Sequence, residues 1–418
     1  MSDSVVDDIL SELKGFQRDA VEHVIHRLYD DPQASGRFLV ADETGLGKSV
    51  VARGVIARAI ERLEMDDSVD RIDIVYVCSN ADLASQNLRR LNVTGNPHLG
   101  FSSRLTLLAR ESNRLSAAPG GAGKPVNLVS FTPGTSFELG SRRTGSADER
   151  ALLHVMLTEA LNFTPELERA SRILFQGSVQ TEDAFSWRVR QTNRALNGPV
   201  NPRILESLIQ GLKTDGSLEE FSTLVSGLIG LDEVPQSVAD AVRQLTARLR
   251  SALARASVET LEPDLVILDE FQRFRHLLDP EDGGDAAELA HYLFNYEAAK
   301  VLLLSATPYK PYTASDSEDD EDHYSDFMTT LTFLSGSDSS LDDIRNGFSE
   351  YRRRVTLGHE VESVISMLRT SLLNLMSRTE RPQLSAHDML HERTLASAAP
   401  SRDDLQGFTA LQRLGREL

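Results

Sequence analysis

The chain has 418 residues, 40% of them apolar, and a formal net charge of −19. That length allows two or three domains with sizeable cores, and that charge argues against a histone-like coat on nucleic acid while leaving room for one local groove. A lone cysteine, Cys78, excludes a disulfide and a cysteine-based zinc site, and without an apolar leader or a bilayer-length run the reading places the chain in a reducing cytoplasm.

The first predicted element is an amphipathic helix starting near Leu13-Lys14-Gly15-Phe16-Gln17. It carries His23 and His26, whose i, i+3 spacing lacks a third metal ligand and reads as structural. The apolar strand Phe38-Leu39-Val40 then runs into Ala41-Asp42-Glu43-Thr44-Gly45-Leu46-Gly47-Lys48-Ser49, a loop of the kind that holds phosphates. Gly45 and Gly47 let the backbone curl so that successive N–H groups face anionic oxygens, and the helix starting near Lys48 adds the positive end of its dipole. Lys48 supplies a cation for the β/γ-phosphates, and Ser49 a hydroxyl for magnesium. The pattern G-x-x-x-x-G-K-[ST] fails at its first glycine, where this chain has Asp42.

Ile72 to Asn80 reads as the next strand and its end, closing in Ser79 and Asn80, and the helix after it carries Gln86 and Asn87. Pro119 to Pro125 reads as a glycine-rich loop. Val126 to Phe131 reads as a strand that leads through Thr132 into a second glycine- and serine-rich passage, Gly134 to Ser146. Asp148 to Thr260 is rich in Leu, Ala, Arg and Glu at helical periodicity, with breaks at Asn201-Pro202 and Thr214 to Ser217, and predicts roughly four to six helices. Within it, Val238 to Ala256 sets Arg243, Arg248, Arg250 and Arg255 on an amphipathic helix, where solvated arginines are expected.

Leu265-Val266-Ile267-Leu268 is an apolar run of buried-strand type that ends in Asp269-Glu270-Phe271-Gln272. Acids at a strand's C-terminal edge are costly without a task. In a P-loop enzyme the first carboxylate holds magnesium, usually through water, and the second orients or deprotonates the attacking water. Asp285 to Lys300 predicts a helix, and Val301 to Leu304 a strand closing in Ser305-Ala306-Thr307-Pro308, so that strand, helix and strand make a parallel pair. The acidic run Asp316 to Asp322 reads as a solvated loop. Further helical patterns lie at 324–334, 341–351 and 361–376, followed by Ser377-Arg378-Thr379-Glu380-Arg381-Pro382.

In this order the motifs resemble those of superfamily 2 helicases and translocases, and within them the Swi/Snf-like branch. Asp42–Ser49 is similar to motif I, Asp269-Glu270-Phe271-Gln272 to motif II as a variant of D-E-A-H, and Ser305-Ala306-Thr307 to motif III. The resemblance implies an α/β fold, a RecA-like P-loop NTPase lobe whose parallel sheet is flanked by helices, plus an all-α insertion. The lobe would occupy 1–147 and 261–382, the insertion 148–260, and 383–418 would be a linker towards a second lobe. ATP and Mg2+ are the implied cofactors. Phe16 and Gln17 would read adenine; Thr44, Gly45, Leu46, Gly47, Lys48 and Ser49 would surround the phosphates; and Ser49 and Asp269 would serve the magnesium. The resemblance assigns catalysis to Lys48, Asp269, Glu270 and Gln272, and coupling to Ser305, Ala306 and Thr307. It sets a nucleic-acid backbone on Ser79 and Asn80 and on Ser130 and Thr132, and makes Arg378 and Arg381 a brace between lobes.

A motor of this family needs a second RecA-like lobe, which supplies an arginine to the transferring phosphate. Only 36 residues follow Pro382, so the reading expects that lobe in a missing C-terminal part or in another chain, and slow hydrolysis by this chain alone. The implied function is an ATP-hydrolysing DNA helicase or translocase, by analogy in bacterial genome and antiviral defence or DNA processing, with a protein partner on the insertion and no membrane. The alternative is a nucleotide-binding scaffold without motor activity. A small-molecule P-loop kinase would want a substrate lid in place of Ser-Ala-Thr-Pro.

Overall fold

Five of the apolar runs, together with one short segment that carries no periodic signal, form a single parallel sheet. The computed structural model describes residues 3–95, 105–110, 124–136, 144–279, 284–296, 299–306, 319–337, 341–380, 402, 406–409 and 411. Strands β1 (Arg37–Val40), β2 (Ile72–Cys78), β3 (Val126–Phe131), β4 (Leu265–Asp269), β5 (Lys300–Leu304) and β6 (Met376–Ser377) lie in the order β3-β2-β4-β5-β1-β6, every pairing parallel.

Successive strand residues point to opposite faces, and here both faces are cores. Phe38, Ile74, Ile267 and Leu302 pack against α1 (Asp3–Ser11), α2 (Gly15–Ile25), α3 (Lys48–Glu64) and α4 (Ala81–Leu91). Leu39, Val75, Val266 and Leu303 face the second core. Burial on both sides is why these strands read as unbroken apolar runs rather than alternating ones.

After a single helical turn at Pro133–Ser136, six longer helices fill the stretch between β3 and β4 among the described residues: α5 (Ala147–Leu161), α6 (Pro165–Gln176), α7 (Glu182–Leu196), α8 (Pro202–Thr214), α9 (Ser217–Gly227) and α10 (Ala239–Leu261). Their ends follow familiar chemistry. Ser146 and Glu149 make a reciprocal capping box on α5, and Thr164 and Thr181 accept from the first-turn amides of α6 and α7. These helices share a core of their own, in which Phe175, Phe185, Phe221 and Leu249 are fully buried. The C-terminal half of α10, at Ala254, Val258 and Leu261, leaves it and packs on the sheet.

Two sequence expectations change here. Arg243, Arg248 and Arg255 pair with Asp240, Glu220 and Glu288 at the surface, but Arg250 is 1% exposed and pairs with the wholly buried Glu149 at 3.0 Å. Its position on α10 faces α5, where Thr106 and the Ser146 amide also donate to Glu149, so the buried charges are compensated. The acidic run is not wholly a loop either: a helix starts at Asp319, consistent with the preference of acidic residue types for a first turn. That helix, α12 (Asp319–Ser335), joins α11 (Gly284–Phe294), α13 (Asp342–Leu357) and α14 (Glu362–Leu373) on the second core. Residues 119–123, 137–143, 307–318 and 381–401 lie outside the described residues, and with them Thr307, Pro308, Arg381, Pro382 and most of the expected linker.

Residues 1–379 form one unit and 380–418 another. Of the second, the described part includes a helical turn at 406–409 in which Phe408 is exposed. Among the described residues no helix is long and apolar enough to cross a membrane.

Candidate nucleotide site

The phosphate-type loop leaves β1 at Val40 and enters α3 at Lys48. Gly45 and Gly47 have φ of 85° and 89°, a left-handed conformation that side chains disfavour. At Gly47 space is also closed, because a Cβ would stand 2.7 Å from Gln17 Nε2. Gln17 is 7% exposed; its Nε2 donates to the Leu46 carbonyl at 2.8 Å, and its Oε1 accepts from the Lys14 amide at 3.0 Å. The aromatic-Gln segment therefore meets the loop although 29 residues separate Gln17 from Leu46. Phe16 beside it is half-buried.

Lys48 Nζ donates to the carbonyls of Asp42 at 2.9 Å and Glu43 at 3.4 Å. Burial pushes its ammonium below the ordinary lysine range, while Asp42, Asp269 and Glu270 oppose that shift. The departure at position 42 has a structural account. Asp42 is fully buried, and its Oδ1 accepts from the Thr379 amide at 2.8 Å, so the carboxylate braces a neighbouring segment. The Ala41 and Glu43 amides donate to the carbonyls of Ser377 and Thr379, which extends the β6 pairing alongside the loop. Asp42 Oδ2 is buried without a hydrogen-bond partner.

The carboxylates arrive from β4. In the register of the sheet Val40 stands beside Leu304, Leu304 beside Asp269, and Asp269 beside Cys78. The carboxyl ends of β1, β5, β4 and β2 are therefore level. One strand, β5, separates β1 from β4, a gap of about 10 Å at two strand spacings, which suits a phosphate chain with a cation and water. Tyr76 of β2 donates its hydroxyl to Asp269 Oδ2, and Asn87 of α4 donates to the Tyr76 oxygen at 2.8 Å and to Asp269 Oδ2 at 3.5 Å. Burial raises the Asp269 carboxyl above the usual range; the Tyr76 hydrogen bond opposes this and Glu270 adds to it. Glu270 adopts a left-handed φ of 53°, a strained conformation for a side-chain residue, and its Oε2 pairs with Arg273 Nε at 2.9 Å. Gln272 Oε1 is buried without a hydrogen-bond partner. Ser305 is 1% exposed; its amide donates to the Val40 carbonyl at 3.1 Å, and Ala306 follows.

These residues fit a magnesium nucleotide. The first turn of α3 has no side-chain cap; its Val50 amide donates to the Gly47 carbonyl at 2.8 Å, and the Lys48 and Ser49 amides stand at the positive end of the helix dipole, where an anion binds. Ser49 is half-buried at that turn, and Asp269 faces the cation of Lys48 across β5. Among the described residues no three His, Cys, Asp or Glu side chains gather into a metal cage. Magnesium beside phosphates is held largely by phosphate and water with one or two protein oxygens.

The expected nucleic-acid residues are placed differently. Asn80 caps α4, its Oδ1 accepting from the amides of Asp82 at 2.8 Å and Leu83 at 3.2 Å, and Ser79 Oγ is buried without a partner. Ser130 is wholly buried on β3 and Thr132 is 7% exposed, so both hydroxyls face the interior rather than a polymer at the surface. A strand buried on both faces hides its polar residues with its apolar ones. Tyr76, Arg273 and Thr379 are site neighbours that motif reading misses, and Asn87, named on the helix after β2, has no place in the nucleotide motifs. Comparison with protein families, curated proteins and solved structures finds no match to this chain.

Proposed function

We propose that this chain is the ATP-binding, RecA-like lobe of an ATP-dependent motor on DNA. The observation that carries the reading is the level alignment of the Lys48 loop, Asp269-Glu270 and Ser305 at one edge of the parallel sheet, with β5 between the loop strand and the carboxylate strand. Ligands of open parallel sheets bind at the carboxyl ends of the strands. Lys48 and the α3 amides would hold the β/γ-phosphates, Ser49 and Asp269 the magnesium, and Gln17 would sit where adenine leaves the loop. Magnesium would neutralise phosphate charge, and Glu270 would orient or deprotonate the attacking water. The likeness of motifs I, II and III to superfamily 2 supports DNA as the track and a defence or DNA-processing setting.

Calorimetry with Mg-ATP tests the site. Lys48→Ala removes the cation over the phosphates and is expected to weaken ATP binding at least tenfold, about 1.4 kcal/mol. Glu270→Gln keeps the shape but not the base, so binding stays while DNA-stimulated phosphate release by the complete motor is lost. Unchanged affinity in Lys48→Ala overturns the nucleotide site. Tight ATP binding with no DNA-stimulated release in any assembly overturns the motor and leaves a scaffold.

A further inference from the structure

We propose that the outer face of α7, carrying Trp187, Arg190 and Arg194, binds single-stranded nucleic acid. The helix is amphipathic: Phe185, Thr192 and Leu196 are buried against the insertion core. At roughly 100° per residue, Trp187, Arg190, Gln191 and Arg194 share an arc of about 100° on the opposite side. Trp187 is the only tryptophan in the chain and is 52% exposed. A residue of that size is ordinarily covered, and an indole with its face in solvent is a ready stacking surface.

The two arginines differ from their neighbours. Every other arginine between 147 and 261 is held by a carboxylate or by backbone carbonyls. Arg190 and Arg194 are exposed and make no ion pair or hydrogen bond among the described residues. They stand one helical turn, about 6 Å, apart. In a chain of net charge −19, two uncompensated guanidinium groups beside a bare indole are a local reversal of charge.

Guanidinium groups pair with phosphate oxygens in bidentate fashion, and a tryptophan stacks on any base whose face is open. A duplex covers those faces, so the combination selects an unpaired strand. An acidic peptide would use the arginines and leave the indole without a partner. The inference rests on the proposed reading only for the class of polymer; the residues lie outside the nucleotide site.

The test uses the full chain and its own fluorophore. A short oligothymidylate titrated at low salt is expected to quench Trp187 fluorescence saturably, with affinity falling as salt rises. Followed by anisotropy of a labelled oligothymidylate, Arg190→Glu with Arg194→Glu, and separately Trp187→Ala, are each expected to weaken binding at least tenfold. Arg243→Glu, at an exposed arginine already paired with Asp240, should change it less than about twofold. Circular dichroism melts confirm that the variants fold. Absent quenching, equal affinity across the variants, or equal quenching by polyglutamate or by duplex overturns the proposal. Lys48→Ala must leave the oligonucleotide response intact, so failure at the nucleotide site and failure at this face are read separately.

Discussion

At the scale of single residues, the site depends on side chains that hold others in place. Asp269 receives the Tyr76 hydroxyl and the Asn87 amide on the same oxygen, Oδ2, which fixes the rotation of the carboxylate. Tyr76→Phe keeps the buried ring and removes only the donor. We expect the magnesium dependence of ATP binding to weaken several-fold, with ATP affinity in chelator unchanged. An equal loss in both conditions would make Tyr76 a packing residue. Lys48 and Asp269 stood out in the sequence for different reasons: Lys48 closes a glycine-rich loop at the start of α3, and Asp269 ends an apolar strand, where a charge has no structural excuse. Tyr76 was not, since an aromatic ring within Ile72–Cys78 looks like strand filling and its hydroxyl finds a partner 193 residues away. Ser130 shows the converse: a serine near a strand end looks accessible in the sequence, and the fold buries it.

At the scale of elements, the insertion is fastened by a charged cluster as well as by its apolar core. Arg250 reaches across from α10 to Glu149 at the start of α5, where a Cβ on Gly145 would lie 2.2 Å from the Arg250 side chain. Arg250→Ala leaves a buried carboxylate without its cation, a change that costs about 3 to 5 kcal/mol where both charges are interior. Urea unfolding is expected to show that loss, and Arg243→Ala, at an exposed pair, to show less than about 1 kcal/mol. Equal effects at the two positions would mean that water reaches Arg250. Periodicity revealed the helices of the insertion, but which arginine turns inward depends on the face that meets α5, and a single helix pattern does not contain its neighbour. Strand β6 escaped for a related reason. Two residues have no period, and they pair with β1 only because the segment returns beside the loop, where Asp42 accepts from Thr379.

For the molecule as a whole, burial ties stability to pH in two directions: it holds the His154 imidazole at about 3, which favours the fold as pH rises, while two carboxyls at one edge of the sheet act the opposite way. At the amino edge of the sheet, away from the candidate nucleotide site, Asp73 of β2 accepts from Asn127 and Arg71, and Asp264 accepts from the Asp73 amide. Burial pushes the Asp73 carboxyl to about 7 against the pull of Arg71, and it pushes Asp264 to about 6 against the Asp73 amide hydrogen bond. Both native values lie above the ordinary carboxylate range, so between about pH 4 and pH 7 these two groups bind more protons in the folded chain than in the unfolded one. Their contribution to stability must then fall as pH rises through that window. The net charge of −19 works the same way, because deprotonation adds to self-repulsion. Salt separates the two contributions, since it screens the surface and leaves the buried pair nearly untouched. We expect the share of the pH dependence that belongs to this pair, read as the difference between the natural chain and a variant without the Asp264 charge, to survive high salt. Asp264→Asn keeps an acceptor for the Asp73 amide but has no charge to bury. At pH 8 it should be more stable than the natural chain by about 1 to 2 kcal/mol, the shift being discounted for partial exposure, and the gain should vanish towards pH 4. A variant whose profile runs parallel to that of the natural chain at high salt would assign the dependence to groups other than this pair.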